Sequence, residues 1–208
     1  MSESRAAFGE LLATLDVVGD RFAGADWGLT DPVDVAEGLR VVMHLLATGL
    51  ETQFEDDAHP VFRAIVTPWR KSLGDNADAR YHDAPVHPAG TYRVRGRMAG
   101  AVYVSFTVEA GAEDGAFPSG TVGSLNDTGF DVGDDGSFET TLGGPARARG
   151  WLALPEDASR ITVRHYWEDL RSPPSIGGCA GSRSRGRQSP EMPPPVLPAG
   201  ARNMTEAN

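Results

Sequence analysis

The chain has 208 residues, 40% of them hydrophobic, and a formal net charge of −10, which allows one ordinary core and leaves too little chain for two large domains. The charge is uneven: 15 basic and 27 acidic residues give −12 over residues 1–171, whereas four basic and two acidic residues give +2 over 172–208. An acidic body repels phosphate backbones and anionic surfaces, which excludes nucleic-acid binding by the folded part and disfavours membranes as partners.

Of 19 basic residues only Lys71 is a lysine, so Schiff-base chemistry has one candidate. A single Cys179 excludes an intrachain disulfide and a thiolate zinc site. No basic-then-apolar leader opens the chain, and no apolar run approaches the roughly 20 residues a membrane span needs. A cytoplasmic protein is expected, with no cofactor and no metal.

In chain order, Phe8, Leu11, Leu12, Leu15, Val18 and Phe22 recur at spacings of three and four, predicting a helix over about 3–22 with Ser4 as its cap. Trp27 follows and reads as a core anchor. Asp31-Pro32 starts a second helix, because the carboxylate accepts from free N–H groups of the first turn and proline has none to leave unpaired. Its apolar face is Val35, Leu39, Val42, Met43, Leu46 and Leu50, with His44 near that face as a half-buried residue. Glu51, Glu55, Asp56 and Asp57 oppose the dipole at its end. A third short helical element is expected over 59–72, ended or bent by Pro68.

From residue 91 the period changes to two. Thr91–Gly96 alternates, and Ala101–Val108 places Val102, Val104, Phe106 and Val108 on one face, with Arg97–Gly100 read as a hairpin between them. A polar loop runs from Glu109 to Gly120. Strands follow at 122–125, 130–132, 138–142, 151–154 and 161–167, with Gly133-Asp134-Asp135-Gly136 as a tight turn. In the last strand Ile161, Val163, His165 and Trp167 share a face. From Ser172 the chain holds seven Pro and five Gly in 37 residues, a composition that cannot offset its ordering entropy, so a disordered tail is expected.

The polar groups concentrate between Leu73 and Arg97: Asp75, Asn76, Asp78, Arg80, Tyr81, His82, Asp83, then Arg93, Arg95 and Arg97. Five segments resemble the domain of unknown function 1214 proteins: Gly74-Asp75-Asn76-Ala77-Asp78-Ala79-Arg80-Tyr81, Tyr92-Arg93-Val94-Arg95-Gly96, Tyr103-Val104-Ser105-Phe106-Thr107, Asp135-Gly136-Ser137-Phe138-Glu139 and Val163-Arg164-His165-Tyr166. The resemblance spans roughly residues 5–170 and implies helices followed by a β-sandwich, with no established activity. Ala77 stands where that family has proline, Arg149-Gly150-Trp151 where it has Gly-Asn-Trp, and the tail departs from its structured ending.

Two readings of the polar stretch follow. In the first, Asp75, Asn76 and Asp78 bond to nearby backbone and pair with Arg93 and Arg95 as a structural network. In the second, Asp78 is a general acid or base, Tyr81 a proton donor, and Asn76, Arg93, Arg95 and Arg164 bind a small anionic ligand. His82-Asp83 with His87 reads as a surface loop, since Pro85 and Pro88 interrupt any helix that would align them as metal ligands. Asp131–Gly136 lacks the calcium-loop glutamate, Leu142 standing at the twelfth position.

The fold class expected is α+β: N-terminal helices (1–72) on an antiparallel β-sandwich or partly open barrel (73–170), then a tail (171–208). The function expected is small-molecule binding. The alternative is acid–base chemistry on an anionic molecule by an isomerase, hydratase or hydrolase, and a third reading is a homo-oligomer formed through an exposed sandwich edge.

Overall fold

The computed structural model describes residues 2–53, 59–71, 74–111, 118–168 and, for the backbone alone, 180–183. Helix α1 spans Glu3–Phe22. Its cap is Ser2 and not Ser4: the Ser2 carbonyl accepts from the N–H groups of Arg5 and Ala6 at 3.0 and 3.2 Å, while its hydroxyl makes no capping bond. Starting one residue before Ser4 puts Glu3 in the first turn, where the helix dipole favours negative charge.

Helix α2 spans Pro32–Gln53. Asp31 caps it as the sequence requires, its Oδ1 accepting from Val33 N–H at 2.8 Å and its carbonyl from Val35 N–H at 3.1 Å. The two helices cross closely at Gly38, where a Cβ would lie 2.9 Å from the Phe22 carbonyl oxygen. Val42 is buried, Val35 and Leu46 are half-buried, and Leu39, Met43 and Leu50 are exposed. On α1, Phe8, Leu11 and Leu12 are exposed as well. Trp27, in a 3₁₀ turn over Ala25–Trp27, is 68% exposed and stacks on Phe22 instead of anchoring the core. Glu51 is held by Arg70 in a two-bond ion pair at 3.1 Å, which offsets its charge at the helix C-terminus. Glu55, Asp56 and Asp57 lie outside the described residues.

The third helical element is absent. Arg63–Val66 is strand β1, and the supposed surface connection after it contains strand β2, Ala79–Pro85. Branched Ile65 and Val66 favour extended backbone, and pairing with β2 supplies hydrogen bonds that a short isolated helix cannot match. The strand at 63–66 thus belongs to the sheet, although it precedes the expected boundary at 72.

The remaining strands are β3 (Thr91–Arg97), β4 (Tyr103–Ala110), β5 (Gly120–Asn126), β6 (Ser137–Gly143), β7 (Trp151–Leu152), β8 (Ala158–Tyr166) and β9 (Ala180–Arg183). They form a five-stranded sheet in the order β1-β2-β8-β4-β5 and a four-stranded sheet in the order β7-β6-β3-β9. Every pairing is antiparallel except β6 with β7. The architecture is α+β, with two open sheets that do not close into a barrel. Phe130–Val132 contributes a single bridge, Val132 to Phe138, across the expected tight turn, where Gly136 takes φ 76°.

The core is the space between the sheets. Val104, Phe106, Val108, Ile161 and Val163 from the larger sheet meet Tyr92, Val94, Phe138, Leu142 and Leu152 from the smaller. Alternation in β4 and β8 predicts these residues, except that Val102 precedes β4 and is exposed. The expected hairpin over Arg97–Gly100 is instead a corner: β3 and β4 lie in different sheets. Ala99 and Gly100, at φ 50° and 79°, turn the chain across, and the Ala99 carbonyl accepts from Trp167 Nε1–H at 3.2 Å. Four residues of the expected tail, Ala180–Arg183, pair with β3; the rest of the Arg/Ser/Pro segment lies outside the described residues. Among those described, no helix is long and apolar enough to cross a membrane.

Candidate functional site

The six residues singled out from the sequence do not converge. Arg93 and Arg95 lie on the outer face of the smaller sheet, both exposed and both on Glu139, at 3.4 and 2.8 Å. Tyr81 and Arg164 lie on the outer face of the larger sheet, opposite one another across β2 and β8. The expected pairing of Arg93 and Arg95 with Asp75 and Asp78 therefore does not occur, because the two sets belong to opposite layers of the sandwich. Asp78 is exposed; its N–H donates to Asn76 Oδ1 at 2.7 Å and its carbonyl accepts from Trp167 N–H at 3.0 Å. Asn76 N–H donates to the Tyr81 hydroxyl oxygen at 3.0 Å. Asn76 and Asp78 thus shape the turn that launches β2, and Lys71 lies 3.4 Å from the Asp75 carboxylate beside it.

What organises the polar chemistry is β2 itself, whose two faces carry different groups. On the outer face, Tyr81 and Asp83 stand opposite Arg164 and Thr162 of β8, which in turn face Ser105 and Thr107 of β4. Helix α2 meets the sheet at β1 and β2. Arg164 lies with its guanidinium carbon 4.9 Å from the centre of the Tyr81 ring, donates to the Thr107 hydroxyl, and pairs with Glu109 at 3.3 Å. The Thr162 hydroxyl donates to Glu109 at 3.1 Å. Arg160 lies 3.3 Å from Asp83 Oδ2.

Asp83 is 3% exposed, and its other oxygen, Oδ1, is buried with no hydrogen-bond partner. Burial, reinforced by the nearby Glu109 charge and only partly countered by Arg160 and by contacts with the Ala84 N–H and the Thr162 hydroxyl, pushes its carboxyl up to about 7. Near neutrality this side chain is therefore divided between a hydrogen-bond donor and an acceptor.

On the inner face, Arg80 and His82 alternate with those residues and stand opposite His165 and Val163. The imidazoles of His82 and His165 meet edge to face at 6.0 Å, and His165 stacks on Trp167 at 5.8 Å. His165 Nε2–H donates to the Arg97 carbonyl at 3.2 Å, leaving Nδ1 as a bare, buried acceptor. His82 Nδ1 is also buried and unbonded. Burial, with His165 and Arg80 nearby, lowers the His82 pKa to about 4, and burial lowers that of His165, so both rings are neutral at pH 7.

Sequence reading treated Arg80, His82 and Asp83 as part of a connection and passed over Glu109, Arg160 and Thr162. The signal available was the alternation of Tyr81 and Asp83 with Arg80, His82 and Ala84; their polar character and Pro85 masked it as a strand. Among the described residues no group of three or more His, Cys, Asp or Glu side chains is arranged to hold a metal ion.

The sandwich with its helices is shared with a solved structure. Over 89% of this chain, at 29% sequence identity and a TM-score of 0.72, it is similar to an uncharacterised protein from Burkholderia cenocepacia, and spans 52% of that chain. The VPA0106 protein from Vibrio parahaemolyticus matches 75% of this chain at 15% identity and a TM-score of 0.41, with 46% of its own length covered. No family model matches the chain, and no curated protein matches it.

Proposed function

We propose that this chain is a small-molecule-binding module whose ligand sits on the outer face of the five-stranded sheet, beside α2, against Asp83, Arg160, Arg164 and Tyr81. One observation carries the reading: Arg164 and Thr162 are bonded to Glu109 and Arg160 sits on Asp83 Oδ2, while the other Asp83 oxygen, Oδ1, is buried without a well-formed hydrogen bond. A buried polar atom left unbonded is costly, and a ligand that bonds to it relieves that cost. Arg160 and Arg164, each about one-fifth exposed along the side chain, offer planar donors to a carboxylate or phosphate. The anionic class and Arg164 are kept from the sequence reading, but Asp83 and Arg160 replace Asp78, Arg93 and Arg95 as the other groups that meet the ligand.

A second reading is acid–base chemistry at the same place. It is favoured by the carboxyl of Asp83 standing near 7 beside a Glu109 that Arg164 and Thr162 hold in place, a division of roles that suits a proton donor. Membership of the domain of unknown function 1214 family is part of this proposal and rests on the five sequence motifs.

The test is a panel of small carboxylates and phosphates followed by thermal shift and NMR. Asp83→Asn and Arg164→Gln are each expected to weaken the best ligand about tenfold or more, while Arg95→Gln, on the opposite sheet, leaves affinity unchanged. Circular dichroism checks that each variant is folded. Equal affinity in folded Asp83→Asn and Arg95→Gln proteins would remove the site.

A further inference from the structure

We propose a second site, separate from the outer-face cluster, in which Arg80, His82 and His165 on the inner face of β2 and β8 bind a small oxyanion above Trp167. Arg93, Arg95, Arg97, Arg160 and Arg164 each sit on a carboxylate. Arg80 does not: its Nε is buried without a hydrogen-bond partner, its guanidinium carbon stands 6.0 Å from the Trp167 ring centre, and no carboxylate is bonded to it among the described residues. A half-buried cation with no counter-charge is unfavourable unless something supplies one.

The groups around it are of one chemical kind. His82, 9% exposed, and the fully buried His165 each keep an unpartnered Nδ1, and the charged or titratable neighbours of His82 are Arg80 and His165. Two further sequence neighbours of the cluster are already committed elsewhere: Trp167 Nε1–H and His165 Nε2–H donate to the carbonyls of Ala99 and Arg97. The cluster therefore presents unsatisfied donors, or sites that become donors on protonation, and has no anionic acceptor among the described residues. An oxyanion completes it: one oxygen accepts from the Arg80 fork, and others accept from Nδ1–H once an imidazole takes up a proton. Arg80 is partly exposed, and in the proposed site the anion enters past its side chain.

Because the histidines are neutral before binding, the anion draws a proton in with it, and affinity rises as pH falls through the range where imidazoles titrate. Sulfate is the probe, since it carries no proton of its own between about pH 5 and 8. The full chain is titrated with sulfate while the ¹⁵N signals of the His82 and His165 rings are followed. Both rings are expected to shift toward the imidazolium form, with affinity about tenfold tighter near pH 6 than near pH 7.5. Arg80→Gln loses this response and Arg80→Lys keeps part of it, whereas Arg95→Gln, on the outer face of the smaller sheet and in neither site, retains it in full. If Arg80→Gln does not fold, the comparison of Arg80→Lys with wild type carries the test. Rings unmoved by sulfate, equal movement in folded wild-type and Arg80→Gln proteins, or an affinity independent of pH would each overturn the proposal.

Discussion

Phe106→Ala is expected to lower the unfolding free energy by about 3–5 kcal/mol, the cost of a large buried aromatic lost from a packed interior. Phe106 is fully buried on the inner face of β4. It meets Phe130 and Phe138 edge to face at 5.7 and 5.9 Å, which ties the larger sheet to the smaller. Deleting the ring removes its transfer free energy and both aromatic contacts, and rigid strands on either side limit how far the cavity can collapse. Urea denaturation followed by far-ultraviolet circular dichroism measures the change. A loss under about 1 kcal/mol would mean that the sandwich interior tolerates a void there, and that the two sheets are not joined through this cluster. Phe106→Leu, which refills most of the volume, is expected to cost less than half as much.

The second large effect is a pH dependence hidden in the wild-type protein and exposed by Asp83→Asn. His82 is held near 4 by burial, against 6.5 for the free side chain. Above pH 6.5 the ring is neutral in both states and contributes no slope. As pH falls from about 6.5 to 4 the unfolded chain takes up a proton that the native chain refuses, so stability is lost across that interval, by about 3 kcal/mol in all. His165, whose pKa burial also lowers, acts in the same direction.

Asp83 acts in the opposite sense. Its native carboxyl keeps a proton up to about 7, against 3.8 for the free side chain. Its contribution is fully present below 3.8 and is lost as pH rises to about 7, so on acidification Asp83 restores stability while His82 removes it. The two nearly offset in the wild type. In Asp83→Asn the histidine effect is no longer opposed, and urea unfolding across about pH 7 to 4 is expected to show the full decline of about 3 kcal/mol or more. A variant whose stability is flat over that range would show that His82 is protonated in the native state.

The turn chemistry and the alternation were legible because their causes are local. Asp31-Pro32 caps α2 through atoms two residues apart, Gly136 takes the left-handed conformation its turn requires, and Ile161, Val163 and His165 of β8, with Trp167 just past its end, are buried on one face. Residues 63–66 and 79–85 were misread for a related reason. Their own sequence is ambiguous, and it is pairing with each other and with β8 that makes them strands. The site was displaced for the same cause: Arg93 and Arg95 are near the Asp75–Asp78 turn in sequence, whereas Arg160, Arg164 and Glu109 reach β2 only through sheet register.

By itself the sequence determined that this protein is α+β, with helices ahead of β-strands, an acidic surface and an apolar core of alternating strand residues. These follow from period, composition and capping, which act over a few residues. Only the tertiary structure decided that β3 and β4 part into different sheets, that Arg93 and Arg95 face away from Tyr81 and Arg164, and that Arg80 and His82 turn inward while Asp83 turns to the opposite face. A strand fixes which residues share a face, but which layer that face meets depends on partners far away in the chain, and that choice sets where every charge in this molecule finds, or fails to find, its counterpart.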